Sequence, residues 1–219
     1  MKLIARLVRD SAVPISLVAT GPLTNIATFI VEYPELLPKI KDLTFMGGSA
    51  GRGNRTPYAE FNIWADPEAA DIVIRSGLKK TMCGLDVTHQ ALVTAEIFDW
   101  LAAMQTKLAT TIIGLMKFFA RTYDEVFGLS NPPLHDPVAV AVVANSAIVK
   151  SKFANVEIEL ASELSRGATV IDLHNVTGRV PNVEVALDLD VDLFWSDMLA
   201  AIAKSGGNPP VMADFGHGN

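Results

Sequence analysis

Apolar positions along this chain change spacing several times, and each change marks an element. From Met1 to Asp10, Leu3, Ile4, Leu7 and Val8 recur at intervals of three and four between charges. That spacing predicts the later half of an amphipathic helix with these four residues on one face. Pro14–Ala19 is a short apolar run that reads as a strand, stopped by Thr20-Gly21-Pro22. Pro22 suits a first helical turn, and Leu23, Ile26, Ala27 and Ile30 continue at helical spacing. Asp42–Met46 is a second strand, ended by Gly47-Gly48 and a polar, Gly-rich loop from Ser49 to Pro57. Asp66-Pro67-Glu68 combines a capping Asp, a proline at the first helical position and a first-turn carboxylate. The helix it opens runs to Arg75-Ser76 and stops at Gly77, before a third strand at Lys80–Leu85.

The middle of the chain is helical. Thr94 can cap Ala95–Met104, and Leu108–Phe127 places apolar residues every three or four positions. His135-Asp136-Pro137 then opens an almost wholly apolar helix to Val143. Its lack of a polar stripe predicts burial all round. Short strands follow at 155–160, 168–173 and 183–187, and a last helix at 190–203. Strand alternating with helix predicts an α/β fold, a mostly parallel sheet flanked by helices, with a helical insertion and a late hairpin. Residues 1–204 read as one domain and the Gly/Pro-rich 205–219 as a flexible tail.

Composition narrows the class. Half of the 219 residues are hydrophobic, 19% are charged and only 7% are aromatic. A disordered chain lacks that much apolar surface. Strands rich in small aliphatic residues and covered on both faces fit it well. The net charge of −6 gives no broad attraction to nucleic acid or anionic membrane. No apolar run reaches the ~20 residues a membrane helix needs. The single Cys83 cannot form an internal disulfide and reads as a small buried hydrophobe. A cytoplasmic location is therefore expected.

In parallel sheets, ligands bind at the carboxyl ends of strands. Four clusters fall there. Thr20-Gly21-Pro22 is a strand end whose backbone groups can face a ligand. Met46-Gly47-Gly48 precedes Asn54, Glu60 and Asn62. In extended backbone Glu60 and Asn62 point the same way, and a carboxylate beside an amide suits vicinal sugar hydroxyls. Equally, such side chains can tie down their own loop. Asp86 reads as a cap on its strand end, and His89 as a satisfied polar residue. Asp136 can cap the apolar helix, which leaves His135 unexplained; an imidazole there is a natural general acid.

Taken together, Thr20-Gly21-Pro22-Leu23-Thr24-Asn25, Met46-Gly47-Gly48, Ala59-Glu60-Phe61-Asn62-Ile63, Asp66-Pro67-Glu68-Ala69-Ala70, Gly84-Leu85-Asp86-Val87-Thr88 and His135-Asp136-Pro137 closely resemble the inosine–uridine-preferring nucleoside hydrolases. The resemblance runs from about Ile15 to Lys204, with several motifs in the family's order. It implies a calcium-dependent hydrolase of the N-glycosidic bond of ribonucleosides, used in nucleoside salvage. Asp136, through its carboxylate, and Thr20, through its carbonyl, would hold Ca²⁺, with Asp136 also at the ribose. Met46, Asn54, Glu60 and Asn62 would bind ribose. His135 would protonate the departing base. Tyr123, Phe127 and Leu129 are candidate walls for the base.

The family opens on a strand ending in Asp-x-Asp-x-Gly-x-Asp-Asp, which supplies most calcium ligands and the catalytic base. This sequence contains no such motif and aligns with the later two-thirds of the family's domain. An incomplete calcium site, an open sheet edge and impaired turnover are the expectations. A non-catalytic ribose-binding or assembly module derived from the same fold is the alternative. The family's habit implies a homodimer or homotetramer.

Overall fold

The computed structural model describes residues 1–128 and 131–206. It divides into two compact units. The first joins Met1–Thr88 to His135–Leu189 and holds a six-stranded sheet. Its strands are β1 (Ile15–Ala19), β2 (Ile40–Met46), β3 (Lys80–Cys83), β4 (Val149–Ile158), β5 (Thr169–Asp172) and β6 (Val183–Leu189). They lie in the order β1-β2-β3-β6-β4-β5. The first four in that order are parallel, while β4 runs antiparallel to both β6 and β5. The expected α/β class holds, with the antiparallel part confined to one side. Ala19 is level with Phe45, and Met46 with Cys83, so the carboxyl ends of β1, β2 and β3 lie together.

Helices cover this sheet: α1 (Lys2–Asp10), α2 (Thr24–Glu32), the short α3 (Phe61–Ala65), α4 (Pro67–Arg75) and the single turn α5 (Leu85–Thr88). Helices α2 and α4 pack on each other, and Leu23, Ile26, Ala70 and Val73 share a core with Leu43, Phe45, Met82, Val156 and Val185. Asp66 caps α4 as expected: its Oδ1 accepts from the Ala69 N–H at 3.0 Å. The Thr24 hydroxyl donates to the other oxygen, joining α2 to the same cap.

The second unit comprises His89–Leu134 and the chain from Asp190 onward. Its helices are α6 (Ala95–Ala103), α7 (Lys107–Phe127) and, after α8 (His135–Ala144) of the first unit, α9 (Val191–Ser205). Thr94, Thr106 and Asp190 cap α6, α7 and α9 through side-chain oxygens. Gly128 closes α7 with φ of 66°, a left-handed conformation that glycine adopts without penalty. Within this unit Tyr123 is buried and its ring lies 4.7 Å from that of Phe119. Leu129 and residues 207–219 lie outside the described residues, as does the expected flexible tail beyond Gly206.

Several expectations are corrected. In α1 the buried residues are Ala5 and Val8, while Leu3 and Leu7 are 58% and 55% exposed. The helix rests on Phe29, Leu36, Ile40 and Leu78 through Ala5 and Val8, with Ile4 packed beside them. Helix α8 is not buried all round: Val138, Ala139 and Val142 face inward, and Val140 is 52% exposed. Absence of polar residues therefore misleads here about which side is covered. Strand β3 stops at Cys83, because Leu85–Thr88 coils into a helical turn. Strand β4 starts at Val149 rather than Asn155, its exposed first half paired with β6 through the backbone and through the Ser151 hydroxyl, which donates to Glu184. Cys83 is fully buried, and burial pushes its thiol pKa up to about 12. It is a packed hydrophobe.

After β5, Asp172 organises the return to β6. Its carboxylate accepts from the Thr177 hydroxyl at 2.6 Å and from the N–H groups of Thr177 and Val176 at 2.7 and 2.9 Å. These bonds, the hydroxyl's foremost, hold its pKa down to about 2 from the ordinary 3.8. A depressed carboxylate contributes stability above its unfolded pKa and loses it as pH falls through the folded one. Asp172→Asn should therefore lower the melting temperature at pH 5, with the difference from wild type closing as pH falls toward 2. Equal differences at both ends, in thermal melts followed by circular dichroism, would contradict this.

Candidate active site

The site is built around one buried carboxylate. Glu60 precedes α3 with φ −79° and ψ 150°, and caps it. Its Oε1 accepts from the Asn62 N–H at 2.9 Å, and its Oε2 from Ile63 and Gly48 at 3.3 and 3.0 Å. The expected extended stretch through Glu60 and Asn62 is therefore wrong: Asn62 lies inside a helical turn. The two side chains still converge, because Glu60 bends over the start of the helix that carries Asn62. Asn62 Nδ2 donates to the Met46 carbonyl at 3.0 Å, at the end of β2. Asn54 Oδ1 accepts from the Phe61 N–H at 2.9 Å. Met46, Asn54, Glu60 and Asn62 thus meet in one place.

These side chains do tie down their own loop, as one of the two readings of the sequence had it. Among the described residues, however, no hydrogen bond engages Asn54 Nδ2 or Asn62 Oδ1. The amide nitrogen of Asn54 and the amide oxygen of Asn62 are groups of the kind that suit hydroxyls. The loop itself is folded tightly. The N–H groups of Asn54, Arg55 and Thr56 all point at the Ala59 carbonyl. A Cβ at Gly53 would lie 2.3 Å from that oxygen, so only glycine fits there.

Residues 47–50 form a strap tied on every side. Gly47 N–H donates to the Cys83 carbonyl, and the Gly48 carbonyl accepts from Leu85 N–H. Ser49 exchanges two bonds with the Thr169 hydroxyl, and Ala50 N–H donates to Asp86 Oδ2 at 2.7 Å. Asp86 thus holds the strap. Gly48 has φ of +77°, the left-handed region, and that turn aims its N–H at Glu60.

Burial pushes the Glu60 pKa above its ordinary 4.5; three backbone N–H groups oppose this, and the charge of Asp136 adds to it. Asp136 stands in the first turn of α8, which packs against β1, β2 and β3. Its residue surface is exposed, yet enough protein surrounds the carboxyl to raise its pKa as well, through lost hydration. His135 Nδ1 lies 2.8 Å from the Thr88 hydroxyl, which is fully buried. The sequence left His135 without a partner. Thr88 was within the motif at 84–88, but no spacing rule links it to a residue 47 positions away. Thr20 follows Ala19 at the carboxyl end of β1, beside β2. Among the described residues, no three His, Cys, Asp or Glu side chains gather as a metal site would require.

A mixed α/β sheet thus carries a carboxylate and two amides near the carboxyl ends of its parallel strands, with a His-Asp pair at the start of α8. The profile of the inosine-uridine preferring nucleoside hydrolases matches residues 1–196, and this chain belongs to that family. It is 44% identical over 191 residues to a pyrimidine-specific ribonucleoside hydrolase of Shewanella baltica, covering 87% of this chain and 60% of that protein. A namesake from Shewanella oneidensis is 43% identical over 204 residues, 93% of this chain and 64% of the relative. Among solved structures, the purine-preferring ribonucleoside hydrolase of Gardnerella vaginalis superposes with a TM-score of 0.84 at 32% identity. That match covers 93% of this chain and 65% of the other. The chain therefore spans about three-fifths of the length of the curated relatives it matches.

The raised Glu60 pKa carries a sign. A carboxylate whose folded pKa lies above its unfolded value costs stability as it ionises in the folded state. That cost enters as pH rises from 4.5 through the raised value. The melting temperature of wild type minus that of Glu60→Gln should therefore fall as pH rises across this window. A constant difference by scanning calorimetry would show that Glu60 ionises normally.

Proposed function

We propose that this chain serves hydrolysis of the N-glycosidic bond of purine and pyrimidine ribonucleosides, releasing ribose and free base for salvage. One observation carries the reading. Glu60 and Asn62 are folded onto the Met46 turn at the carboxyl ends of parallel strands, within electrostatic reach of Asp136. The names of the family and of its relatives support the same reaction.

In the cleavage, the bond between the ribose carbon and the base nitrogen breaks, water adds to that carbon, and the base leaves with a proton. The ring carbon becomes cation-like as the bond stretches. Glu60, Asn62 and Asn54 hold the ribose hydroxyls in this proposal. In this proposal the carboxylates of Glu60 and Asp136 face the developing positive charge, and fixed charge in a partly desolvated site stabilises it strongly. His135 gives a proton to the departing base, with its ring anchored by Thr88.

The metal of the proposal is calcium, with Asp136 and the Thr20 carbonyl as its hard oxygen donors. Two donors fall well short of the six to eight oxygens calcium takes, and no acidic cluster among the described residues makes up the number. These residues fit part of a calcium site, so no step is routed through the ion. A homo-oligomer, dimer or tetramer, in the cytoplasm completes the proposal. No helix among the described residues is long and apolar enough to cross a membrane.

Incubation with inosine or uridine and Ca²⁺, followed by ribose assay, tests the reading. Turnover should be lost in Asp136→Ala and should fall about a hundredfold in His135→Ala. Inosine and uridine that bind without being cleaved would favour the non-catalytic alternative. A chain that neither binds nor cleaves them would overturn the proposal.

A further inference from the structure

Thr169 begins β5, far from Glu60 in sequence, and is not among the residues that resemblance assigns to the site. Its hydroxyl nevertheless makes two bonds to one residue of the strap. It accepts from the Ser49 N–H at 2.9 Å and donates to the Ser49 carbonyl at 2.6 Å. Both residues are buried, Ser49 at 4% and Thr169 at 9% exposure. A hydroxyl can do both at once, as one donor with two lone pairs. The one hydroxyl thus serves both the N–H and the carbonyl of Ser49.

The methyl of the same residue shapes the next position. A Cβ at Gly48 would meet Thr169 Cγ2 at 2.7 Å. Thr169 thus packs over a glycine whose φ is already +77°. Hydroxyl and methyl together fix the peptide between Gly48 and Ser49 in plane and position. The Gly48 N–H, one residue back, is the group that donates to Glu60 Oε2. The chain of contacts is short: Thr169, Ser49, Gly48, Glu60.

We propose that Thr169 is a positioning residue for the ribose site, holding the Gly48 N–H on Glu60 through its double bond to Ser49. This rests on the ribose-binding role given to Glu60 above. Removal of the hydroxyl leaves a buried N–H and a buried carbonyl without their partner, and the strap turns to satisfy them. The Gly48 N–H then drifts from Glu60, whose carboxylate loses one of its three fixed donors.

The test uses Thr169→Val, Thr169→Ala and Thr169→Ser in the full chain, with Val156→Ala as a core variant elsewhere in the sheet. Amide exchange by NMR reads the strap directly, and calorimetric titration with inosine reads the site. Thr169→Val and Thr169→Ala should speed exchange at Gly48 and Ser49 about tenfold and weaken inosine by a similar factor. Thr169→Ser should restore both to within about twofold, because it keeps the hydroxyl. Val156→Ala should lower the melting temperature and leave Gly48 exchange and inosine affinity at wild-type values. The proposal is overturned if Gly48 exchange is unchanged without the hydroxyl, if serine fails to restore it, or if faster exchange leaves inosine affinity intact. Should the wild-type chain bind no inosine, the proposed function fails, and the exchange arm alone then decides whether Thr169 holds the strap.

Discussion

The Glu60 carboxylate is the constraint on which the surrounding structure depends. A carboxylate 3% exposed is costly to bury. The fold meets that cost with backbone: two N–H groups from the start of α3 and one from the Gly48 turn. Each of those donors has a consequence. The α3 pair needs a helix start directly after Glu60, which sets the direction of Asn62. The Gly48 donor needs a left-handed residue at the end of β2, which only glycine takes up easily. Strand end, loop and short helix are thus tied to one anion.

Much of this was legible in the sequence, and the parts that were not share a cause. Helix starts at Asp66, Thr94 and Asp190 announced themselves, because capping is local and acts over three residues. Strands β1 and β2 were marked by their aliphatic runs. Asn62 departs from the extended conformation expected through Glu60 and Asn62 for an instructive reason. Two polar residues spaced by one read as extended backbone, but a carboxylate followed by free N–H groups is also a helix cap. Local pattern does not choose between these; the buried partner Gly48, twelve positions earlier, does.

The links between distant segments left no trace in spacing at all. Thr88 and His135, and Ser49 and Thr169, each join residues whose separation carries no period. A buried hydroxyl that bonds another element looks, in sequence, like any threonine in a strand or turn. Similarly, α1 presented four large aliphatic residues, yet Ala5 lies against the core and Leu3 and Leu7 do not. Periodicity names a face; it does not say how much of that face a neighbour will cover. Glu60, Asn62 and His135 stood out in the sequence by their chemistry, but their grouping with Thr20, Met46, Asn54 and Asp136 came only from family resemblance, since no single motif here exceeds a common turn.

Charge ties the fold back to the proposed chemistry. Glu60 and Asp136 each ionise less readily than an ordinary carboxylate, both because hydration is reduced and, for Glu60, because the other is near. Two such groups at one rim are unfavourable by themselves. They become favourable when positive charge arrives between them, since each then regains the stabilisation that lost water withdrew. A neutral nucleoside brings little of this in its ground state; the ribosyl carbon brings much more as its bond to the base lengthens. In the proposed reaction the interaction would therefore strengthen as the bond breaks instead of at binding, which is the condition for raising rate instead of merely holding substrate. The Gly48 N–H belongs to the backbone itself, so it holds Glu60 in place before any ligand arrives.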